Sequence, residues 1–272
     1  MSEYINDLFS LSGKTALVVG GAGAIGSAVS EALARAGATI IVHDLSQERL
    51  DFLKNKFVDM GIVFNSLQAD IVDPKDAFHL ISCAKELTGR IDILVNLQAI
   101  NPRKLIAEAT QEEFDLAIAV NLRSVYFLSQ AIYPIMKSQG GGKILHFSSL
   151  AANFSFDTTS IYAASKAALT SLTRSQAHEW AADNIQVNAI EPGFVQTQFT
   201  HQLWNNDYGW KWFSDFIPLG RLATPEDLIT SVIYLTAPAT NYITGQHIIV
   251  DGGVLSGSSW IKDPFESGEK KE

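Results

Sequence analysis

The chain has 272 residues, of which 47% are hydrophobic and 18% are charged. This length and balance are typical of one globular domain with a sizeable core. The net charge of −9 leaves no basic block to neutralise phosphates, so we expect neither nucleic acid nor an anionic membrane as a partner.

Cysteine content and the first residues indicate a reducing compartment. Cys83 is the only cysteine, which excludes an intrachain disulfide and a cysteine-cluster metal site, and we expect no bound metal. The start of the chain lacks the basic segment and apolar run of a signal peptide, and no apolar stretch reaches the ~18 residues of a membrane span. We therefore expect a cytoplasmic protein, with one domain over residues 1–265 and a flexible polar tail at 266–272.

Short β-branched runs alternate with longer helical patterns along the chain. Strands are predicted at 15–19, 39–43, 91–95, 142–147, 185–190 and 247–250. Helices are predicted at 25–36, 47–60, 74–88, 112–137 and 161–182. This alternation predicts a doubly wound parallel sheet with helices on both faces, a three-layer α/β fold of the Rossmann type.

A glycine-rich turn joins the first predicted strand to the first predicted helix. It contains Gly20, Gly21, Gly23, Ala24, Ile25 and Gly26. Glycines let the backbone approach a pyrophosphate, and the amides at a helix start favour negative charge. The position after strand one favours a dinucleotide site over a plain tight turn.

Asp44 stands at the end of the second predicted strand, 18 residues after Gly26. A carboxylate there can accept hydrogen bonds from adenosine ribose hydroxyls and would repel the 2′-phosphate of NADP, so we expect NAD. Asp44 as a helix N-cap is an alternative that is compatible with ribose binding. The nearest arginine is Arg49, a turn into the next helix.

Three further residues suit proton transfer to a carbonyl group. Tyr162 and Lys166 lie four residues apart on one helix face, where the ammonium could stabilise a phenolate. Ser149 ends the strand GKILHF and could hold a substrate oxygen. Alone, the pair is common on exposed helices and the serine would merely satisfy a turn, so the combination carries the interpretation.

The segment from Val195 to Leu219 does not continue the alternation of predicted strands and helices. It holds six aromatic residues between Trp204 and Phe216 without a clean helical or strand period. We expect residues 197–217 to form a lid, although packing as a surface helix pair or an oligomer contact is an alternative. The final predicted strand precedes Asp251-Gly252-Gly253, which is typical of a tight turn.

In combination, these motifs resemble the short-chain dehydrogenase/reductase family from about Leu11 to Gly253. The resemblance rests on the glycine turn, Asp44, Asn121, Ser149, Tyr162 with Lys166, and Pro192-Gly193. It implies that Tyr162 is the general acid/base, Lys166 lowers its pKa and binds the nicotinamide ribose, Ser149 orients the carbonyl, and Asn121 supports a proton relay. It also implies cofactor contacts from Leu45, Asp70, Ile71, Asn96, Pro192, Val195 and Thr197, and a homotetramer.

The sequence departs from the family pattern after strand four. Asn96 is followed by Leu97-Gln98-Ala99 where many members have Asn-Ala-Gly, and Ala24 replaces a glycine. Because of the first change, the local backbone geometry beside the cofactor ribose does not follow directly from the resemblance. A protein that binds NAD(H) without turnover is therefore one alternative, which the intact set of catalytic residues argues against.

Within the family, several stretches resemble sugar-acid dehydrogenases of the gluconate 5-dehydrogenase and 2-dehydro-3-deoxygluconate 5-dehydrogenase type. They include Ile100-Asn101-Pro102-Arg103, AVNLRSVYFLSQ and VDGGVL. Arg103 follows strand four and could hold a carboxylate or sulfonate, or could be a surface arginine. We expect an NAD-dependent oxidoreductase that interconverts a secondary alcohol and a ketone of a small, polyhydroxylated anionic substrate bound by Arg103, Ser149 and Tyr162. Reduction of ketoacyl or hydroxysteroid substrates remains an alternative.

Overall fold

A parallel sheet of seven strands forms the centre of residues 3–198 and 200–257, the part of the chain described by this computed structural model. The strands are β1 (Thr15–Val19), β2 (Thr39–Asp44), β3 (Phe64–Gln68), β4 (Ile93–Asn96), β5 (Gly142–Phe147), β6 (Ile185–Pro192) and β7 (His247–Val250). Their order is β3-β2-β1-β4-β5-β6-β7, and every pairing is parallel. The order reverses between β1 and β4, which is where ligands bind in open α/β sheets.

Helices connect the strands and cover the sheet. They are α1 (Glu3–Phe9), α2 (Ala24–Arg35), α3 (Gln47–Asp59), α4 (Pro74–Thr88), α5 (Gln111–Ile118), α6 (Ser124–Ser138), α7 (Ser160–Trp180), α8 (His201–Trp204), α9 (Asp207–Phe216) and α10 (Ile229–Thr236). None of the helices in residues 3–198 and 200–257 has the length and apolar character needed to cross a membrane.

Alternate residues of each central strand enter two different cores, one on each face of the sheet. In β1, Ala16 and Val18 pack with apolar residues of α2, α3 and α10. Leu17 and Val19 face the other way and pack with α4 and α6. Both faces are therefore buried, which explains why the central strands are continuous apolar runs. The predicted three-layer, doubly wound α/β fold is confirmed.

Local sequence signals set several helix ends. Asp73 caps α4 by accepting a hydrogen bond from the backbone N–H of Lys75 at 2.8 Å, Pro74 is the first residue of that helix, and Gly89 ends it with a left-handed φ of 75°. Thr110 and Glu113 form a reciprocal capping box at α5. The cap of α3 is Ser46, not Asp44, so the alternative of Asp44 as an N-cap is wrong.

Three elements differ from the sequence prediction. The edge strand β3 has the sequence FNSLQ, whose mixed polarity gives no strand signal because an edge strand is only partly buried. The predicted helix at 112–137 is interrupted by a π-helical turn at Ala119–Arg123. The segment at 195–219, which has no clean period, contains the helix α9. The predicted tail at 266–272 lies outside the described residues.

Candidate active site

The glycine turn after β1 makes room for a ligand at the start of α2. Gly20 has a left-handed φ of 72°, and a Cβ there would lie 3.0 Å from the backbone nitrogen of Gln98. A Cβ on Gly26 would lie 2.6 Å from the backbone of Gly20 and Gly21, so only glycine allows α2 to pack against the turn. No side chain caps α2, and its first turn has no acidic residue. These open amides fit the pyrophosphate of a dinucleotide.

Asp44 lies at the carboxyl end of β2, beside the turn, and is 4% exposed. Its Oδ1 accepts a hydrogen bond from the backbone N–H of Ser46 at 3.0 Å and lies 3.8 Å from the guanidinium of Arg49. Both contacts use Oδ1, so Oδ2 has no hydrogen-bond partner in the part of the chain that the structure describes. This free oxygen fits a ribose hydroxyl. The adjacent Leu45 is 60% exposed.

The loop after β3 carries the next two predicted cofactor contacts. Asp70 is exposed, and its Oδ1 accepts a hydrogen bond from the backbone N–H of Val72 at 3.0 Å. Ile71 is 7% exposed and belongs to the core that faces α4 and α6. Asp70 is therefore the polar, accessible member of this pair.

The residues after β4 that depart from the family pattern, Leu97-Gln98-Ala99, lie against the glycine turn. The backbone N–H of Leu97 donates to the carbonyl of Val19 at 3.0 Å, which extends the β1–β4 pairing by one residue. The Gln98 amide donates to Ser124 Oγ at 3.1 Å. Its Oε1 is buried and lacks a partner in residues 3–198 and 200–257, so this acceptor is free for a cofactor hydroxyl. Gln98 is thus a candidate contact that the sequence analysis missed.

Asn96 is 2% exposed at the end of β4 and points into a polar network. Its amide lies 3.2 Å from His146 Nδ1, and His146 Nε2 lies 2.9 Å from Gln176 Oε1. Burial lowers the pKa of His146 to about 4, so this imidazole is neutral and holds β4, β5 and α7 together. His146 is therefore a packing residue of this buried network.

Asn121 lies in the π-helical turn and is completely buried. Its Oδ1 accepts the backbone N–H of Ile100 at 2.8 Å, and its Nδ2 donates to the carbonyl of Ile100 at 2.9 Å and to Ser165 Oγ at 3.0 Å. Single π turns often occur at functional sites. Here the turn lets one asparagine fasten the loop after β4 to α7, next to Lys166.

Ser149, Tyr162 and Lys166 meet where β5 ends against α7. The Ser149 hydroxyl accepts the backbone N–H of Ala151 at 3.1 Å, which leaves its own proton free to donate. The Lys166 ammonium is buried, donates to the carbonyl of Phe147 at 2.6 Å, and lies 5.6 Å from the centre of the Tyr162 ring. Burial lowers the pKa of Lys166 to about 7.

The environment of Tyr162 differs from the sequence interpretation in one respect. Burial raises the pKa of its phenol, while a hydrogen bond from Ser149 and the positive charge of Arg103 oppose that rise. The family resemblance assigns the opposing role to Lys166, whose own charge is weakened by burial. Tyr162 is therefore protonated at neutral pH, as a proton donor to a ketone must be.

A cavity of about 430 Å³ opens beside these residues. Its polar end includes Asn101, Arg103, Ser149 and Tyr162, and its aromatic walls are Phe156, Phe194, Tyr208, Trp212 and Phe213. Arg103 has a left-handed φ of 55°, and Thr158, which also lines the cavity, has a φ of 64°. Non-glycine residues in this conformation are uncommon and often occur at binding sites.

The aromatic walls come largely from the segment that the sequence left without a secondary structure. Phe213 of α9 is buried against Leu150 and Leu222, and Phe194 packs on Phe213 with ring centres 4.8 Å apart. A Cβ on Gly209 would meet the carbonyl of Leu203, so glycine allows α9 to fold tightly onto α8. His201, Gln202, Trp204 and Trp210, from the same segment, do not line the cavity.

The loop after β6 closes the site from the other side. Gly193 donates its backbone N–H to the carbonyl of Val250 at 2.9 Å, while Val195 pairs with Ala223. The backbone N–H of Thr197 donates to Thr200 Oγ at 3.2 Å. These bonds hold Pro192, Val195 and Thr197 at the carboxyl edge of the sheet, on the same side as the glycine turn. The described residues contain no group of three His, Cys, Asp or Glu side chains that could hold a metal.

Comparisons with known proteins agree with this arrangement. Residues 20–255 match the family described as enoyl-(acyl carrier protein) reductase. The chain is 37% identical over 259 residues to the tropinone reductase homolog At5g06060 of Arabidopsis thaliana, covering 94% of this chain and 98% of the relative. It is 34% identical over 251 residues to 5-keto-D-gluconate 5-reductase of Escherichia coli (strain K12), covering 92% of this chain and 99% of the relative. A crystal structure of gluconate 5-dehydrogenase from Burkholderia cenocepacia, in complex with NADP and tartrate, superposes with a TM-score of 0.88 at 30% identity, covering 93% of this chain and 99% of that one.

Proposed function

The chain belongs to the short-chain dehydrogenase/reductase family of oxidoreductases, which act on CH–OH and ketone groups, and we propose that its substrate is a small polyhydroxylated acid and its cofactor is NAD. The observation that carries the substrate proposal is Arg103, which lines the cavity together with Ser149 and Tyr162. The relative named 5-keto-D-gluconate 5-reductase supports a sugar acid.

The surroundings of Arg103 favour an anionic substrate over a surface role. Its guanidinium makes no salt bridge within 3–198 and 200–257, whereas four other arginines of this acidic chain, among them Arg90 and Arg221, each pair with a carboxylate. A guanidinium can bind a carboxylate through two parallel hydrogen bonds. Its charge also reaches the Tyr162 phenol, so an acid held by Arg103 would lie beside the group that transfers the proton.

Tyr162 and Ser149 would perform the proton chemistry. A bound nicotinamide would supply or accept the hydride. In the reductive direction, Tyr162 donates its phenolic proton to the substrate oxygen, while the Ser149 hydroxyl donates a hydrogen bond to the same oxygen. Lys166 and Asn121 hold this pair in position, since Lys166 is fixed by the carbonyl of Phe147 and Asn121 by Ile100 and Ser165.

The choice of NAD rests on Asp44. Its buried carboxylate has one oxygen free for ribose hydroxyls and would repel a 2′-phosphate. Arg49 lies 3.8 Å from the other oxygen and its side chain is 60% exposed, so its guanidinium is a neighbour able to favour NADP. The lining by α8 and α9 residues supports our expectation that residues 197–217 act as a lid.

We also propose a cytoplasmic homotetramer. Phe114 and Leu116 on α5 and Tyr126 on α6 are each about half exposed and support a contact between subunits. Light scattering coupled to size-exclusion chromatography tests this state directly. A monomer at micromolar concentration would contradict it.

A lipophilic ketone is the second candidate substrate. The walls formed by Phe156, Phe194, Trp212 and Phe213 are apolar and favour a substrate with a hydrocarbon face. One relative is a tropinone reductase homolog. Apolar walls also suit the ring face of a sugar, so they do not exclude the first candidate.

An absorbance assay of NADH and NADPH turnover over a substrate panel tests the proposal. The panel contains aldonates and their keto forms, sulfonated sugars, neutral polyols, bicyclic ketones and a ketoacyl thioester. We expect the highest kcat/KM for an aldonate or sulfonated sugar with NAD(H). A neutral polyol or lipophilic ketone with a higher kcat/KM than every aldonate and sulfonated sugar would refute the substrate proposal, and absence of turnover with cofactor binding retained would support the non-catalytic alternative.

A further inference from the structure

A second cavity lies at the opposite edge of the sheet, at the amino ends of β1, β4, β5 and β6. It has a volume of about 140 Å³ and is lined by Lys14, Arg90, Asp92, Lys143, the turn from Gly140 to Gly142 and uncharged residues, most of them polar. Lys143 and Ser149 lie near opposite ends of β5, about 20 Å apart. The cavity is therefore separate from the candidate active site and has no part in the proposed reaction.

The charged groups of this cavity are unbalanced. Asp92 accepts two hydrogen bonds from Arg90 at 2.8 and 2.5 Å and one from the backbone N–H of Thr15 at 2.9 Å, and lies 3.7 Å from the Lys14 ammonium. The cavity is therefore lined by one carboxylate and three cations, the third being Lys143, while the other lining side chains are neutral. A local excess of positive charge is unusual in a chain whose net charge is −9.

Lys143 is the cation that this arrangement leaves without a partner. It is 8% exposed, and its Nζ has no hydrogen-bond partner among the described residues. Burial and the nearby charge of Lys14 lower the pKa of its ammonium to about 8. An unpaired buried ammonium is costly, and a bound anion would remove that cost.

We propose that this cavity is a binding site for a single phosphoryl or sulfate group, held by Lys143 with Arg90 and Lys14. The three cations converge on a space well below the ~300 Å³ of sites for larger ligands, so it suits one tetrahedral oxyanion and not a nucleotide. A phosphate has enough oxygens to accept a hydrogen bond from each cation while Asp92 keeps its bonds to Arg90 and Thr15.

Isothermal titration of the full chain with inorganic phosphate tests the site. We expect Lys143→Met to weaken binding at least tenfold, because it removes a buried charged donor. The matched control, Lys54→Met, changes an exposed lysine on α3 and should leave the Kd unchanged. The glycine turn and Arg103 are present in all three proteins, so phosphate bound there would remain. Equal affinity in Lys143→Met and the unmodified chain would overturn the proposal.

The pH dependence of the unmodified protein gives a second test, which does not depend on the folding of a variant. Lys143 loses its proton between pH 7.5 and 9, while inorganic phosphate gains negative charge over that range. Affinity should therefore fall about tenfold, whereas a site made only of Lys14 and Arg90 would keep its affinity or gain. A constant or rising affinity contradicts the assignment. Glucose 6-phosphate identifies the source: tighter binding than inorganic phosphate indicates a phosphorylated metabolite, and weaker binding indicates the free anion.

Discussion

The cofactor side and the substrate side of the candidate active site are built in different ways. The cofactor side consists of the glycine turn at 20–26 and the carboxyl ends of β2 and β4, where regular strands and one helix start fix each group. The substrate side consists of the loop at 101–103, the loop at 150–159 and the segment at 194–217, where Arg103 and Thr158 adopt left-handed backbone conformations. A sheet positions the first side, whereas loops and an aromatic cluster position the second.

Because the two sides are built differently, substrate preference can vary independently of stability and cofactor binding. On the cofactor side, a Cβ added at Gly20 or Gly26 would come within 3.0 Å of the backbone, closer than van der Waals contact, so we expect changes there to alter stability and cofactor binding together. Changes on the substrate side meet side chains around a cavity of about 430 Å³ and should alter substrate preference while the fold remains intact. Tyr162 lies between the two sides and should affect turnover alone.

Tyr162→Phe has the largest expected effect. The ring keeps its packing while the transferable proton is lost, so kcat should fall by roughly 10²- to 10⁴-fold with NADH affinity unchanged. Steady-state kinetics and NADH fluorescence titration measure the two quantities. As a control, Tyr133→Phe removes a hydroxyl that donates to Asp183 on the outside of the sheet and should leave kcat unchanged. An unchanged kcat in Tyr162→Phe would refute the assigned mechanism.

Asp44→Ala tests whether the cofactor side sets the preference for NAD over NADP. Removing the carboxylate should reduce the preference for NAD over NADP by roughly a hundredfold or more, since like charges at such a site repel by several kcal/mol and each ~1.4 kcal/mol is a factor of ten. The ratio of kcat/KM values for the two cofactors is the measurement. Arg49→Gln is the matched variant, and should preserve or increase the preference for NAD. If the unmodified protein uses both cofactors equally, Asp44 does not select the cofactor.

Gly26→Ala has a smaller expected effect, on stability. The added methyl would lie 2.6 Å from the backbone of Gly20 and Gly21, so we expect a loss of about 1 to 3 kcal/mol in the free energy of unfolding. Gly23→Ala is the control within the same turn, because its methyl would come no closer than 3.7 Å to its neighbours. Urea denaturation of both variants measures the difference. Equal stability of the two would show that α2 does not depend on this close approach.

The sequence predicted the cofactor side more completely than the substrate side for a physical reason. Gly20, Gly26 and Asp44 follow buried strands at spacings that the backbone geometry of a strand–turn–helix unit requires. Gln98 was missed because its role comes from an acceptor that only the folded loop leaves unpaired. The π-helical turn around Asn121 has no sequence signal, since α5 and α6 continue the same apolar pattern on either side of it.

On the substrate side, the sequence composition predicted an aromatic cover over the site. It did not predict which aromatic residues contact the cavity. The aromatic residues at 204–216 indicated a covering element, yet the walls use Tyr208, Trp212 and Phe213 instead of Trp204 and Trp210. Phe156 and Phe194 come from other loops and meet only through tertiary packing. Arg103 could be an anion ligand or a surface residue by sequence, and its place beside Tyr162 depends on the left-handed turn after β4.

The most direct test of the central claim compares kcat/KM for the preferred aldonate and for its neutral polyol counterpart in the unmodified protein, Arg103→Met and Arg174→Met. Arg174 is exposed on α7 and serves as the matched control. We expect Arg103→Met to raise KM for the acid roughly tenfold to a hundredfold, with little change in KM for the polyol or for NAD. We expect Arg174→Met to change none of these KM values. Equal losses on acid and polyol, or no loss in Arg103→Met, would contradict the central claim.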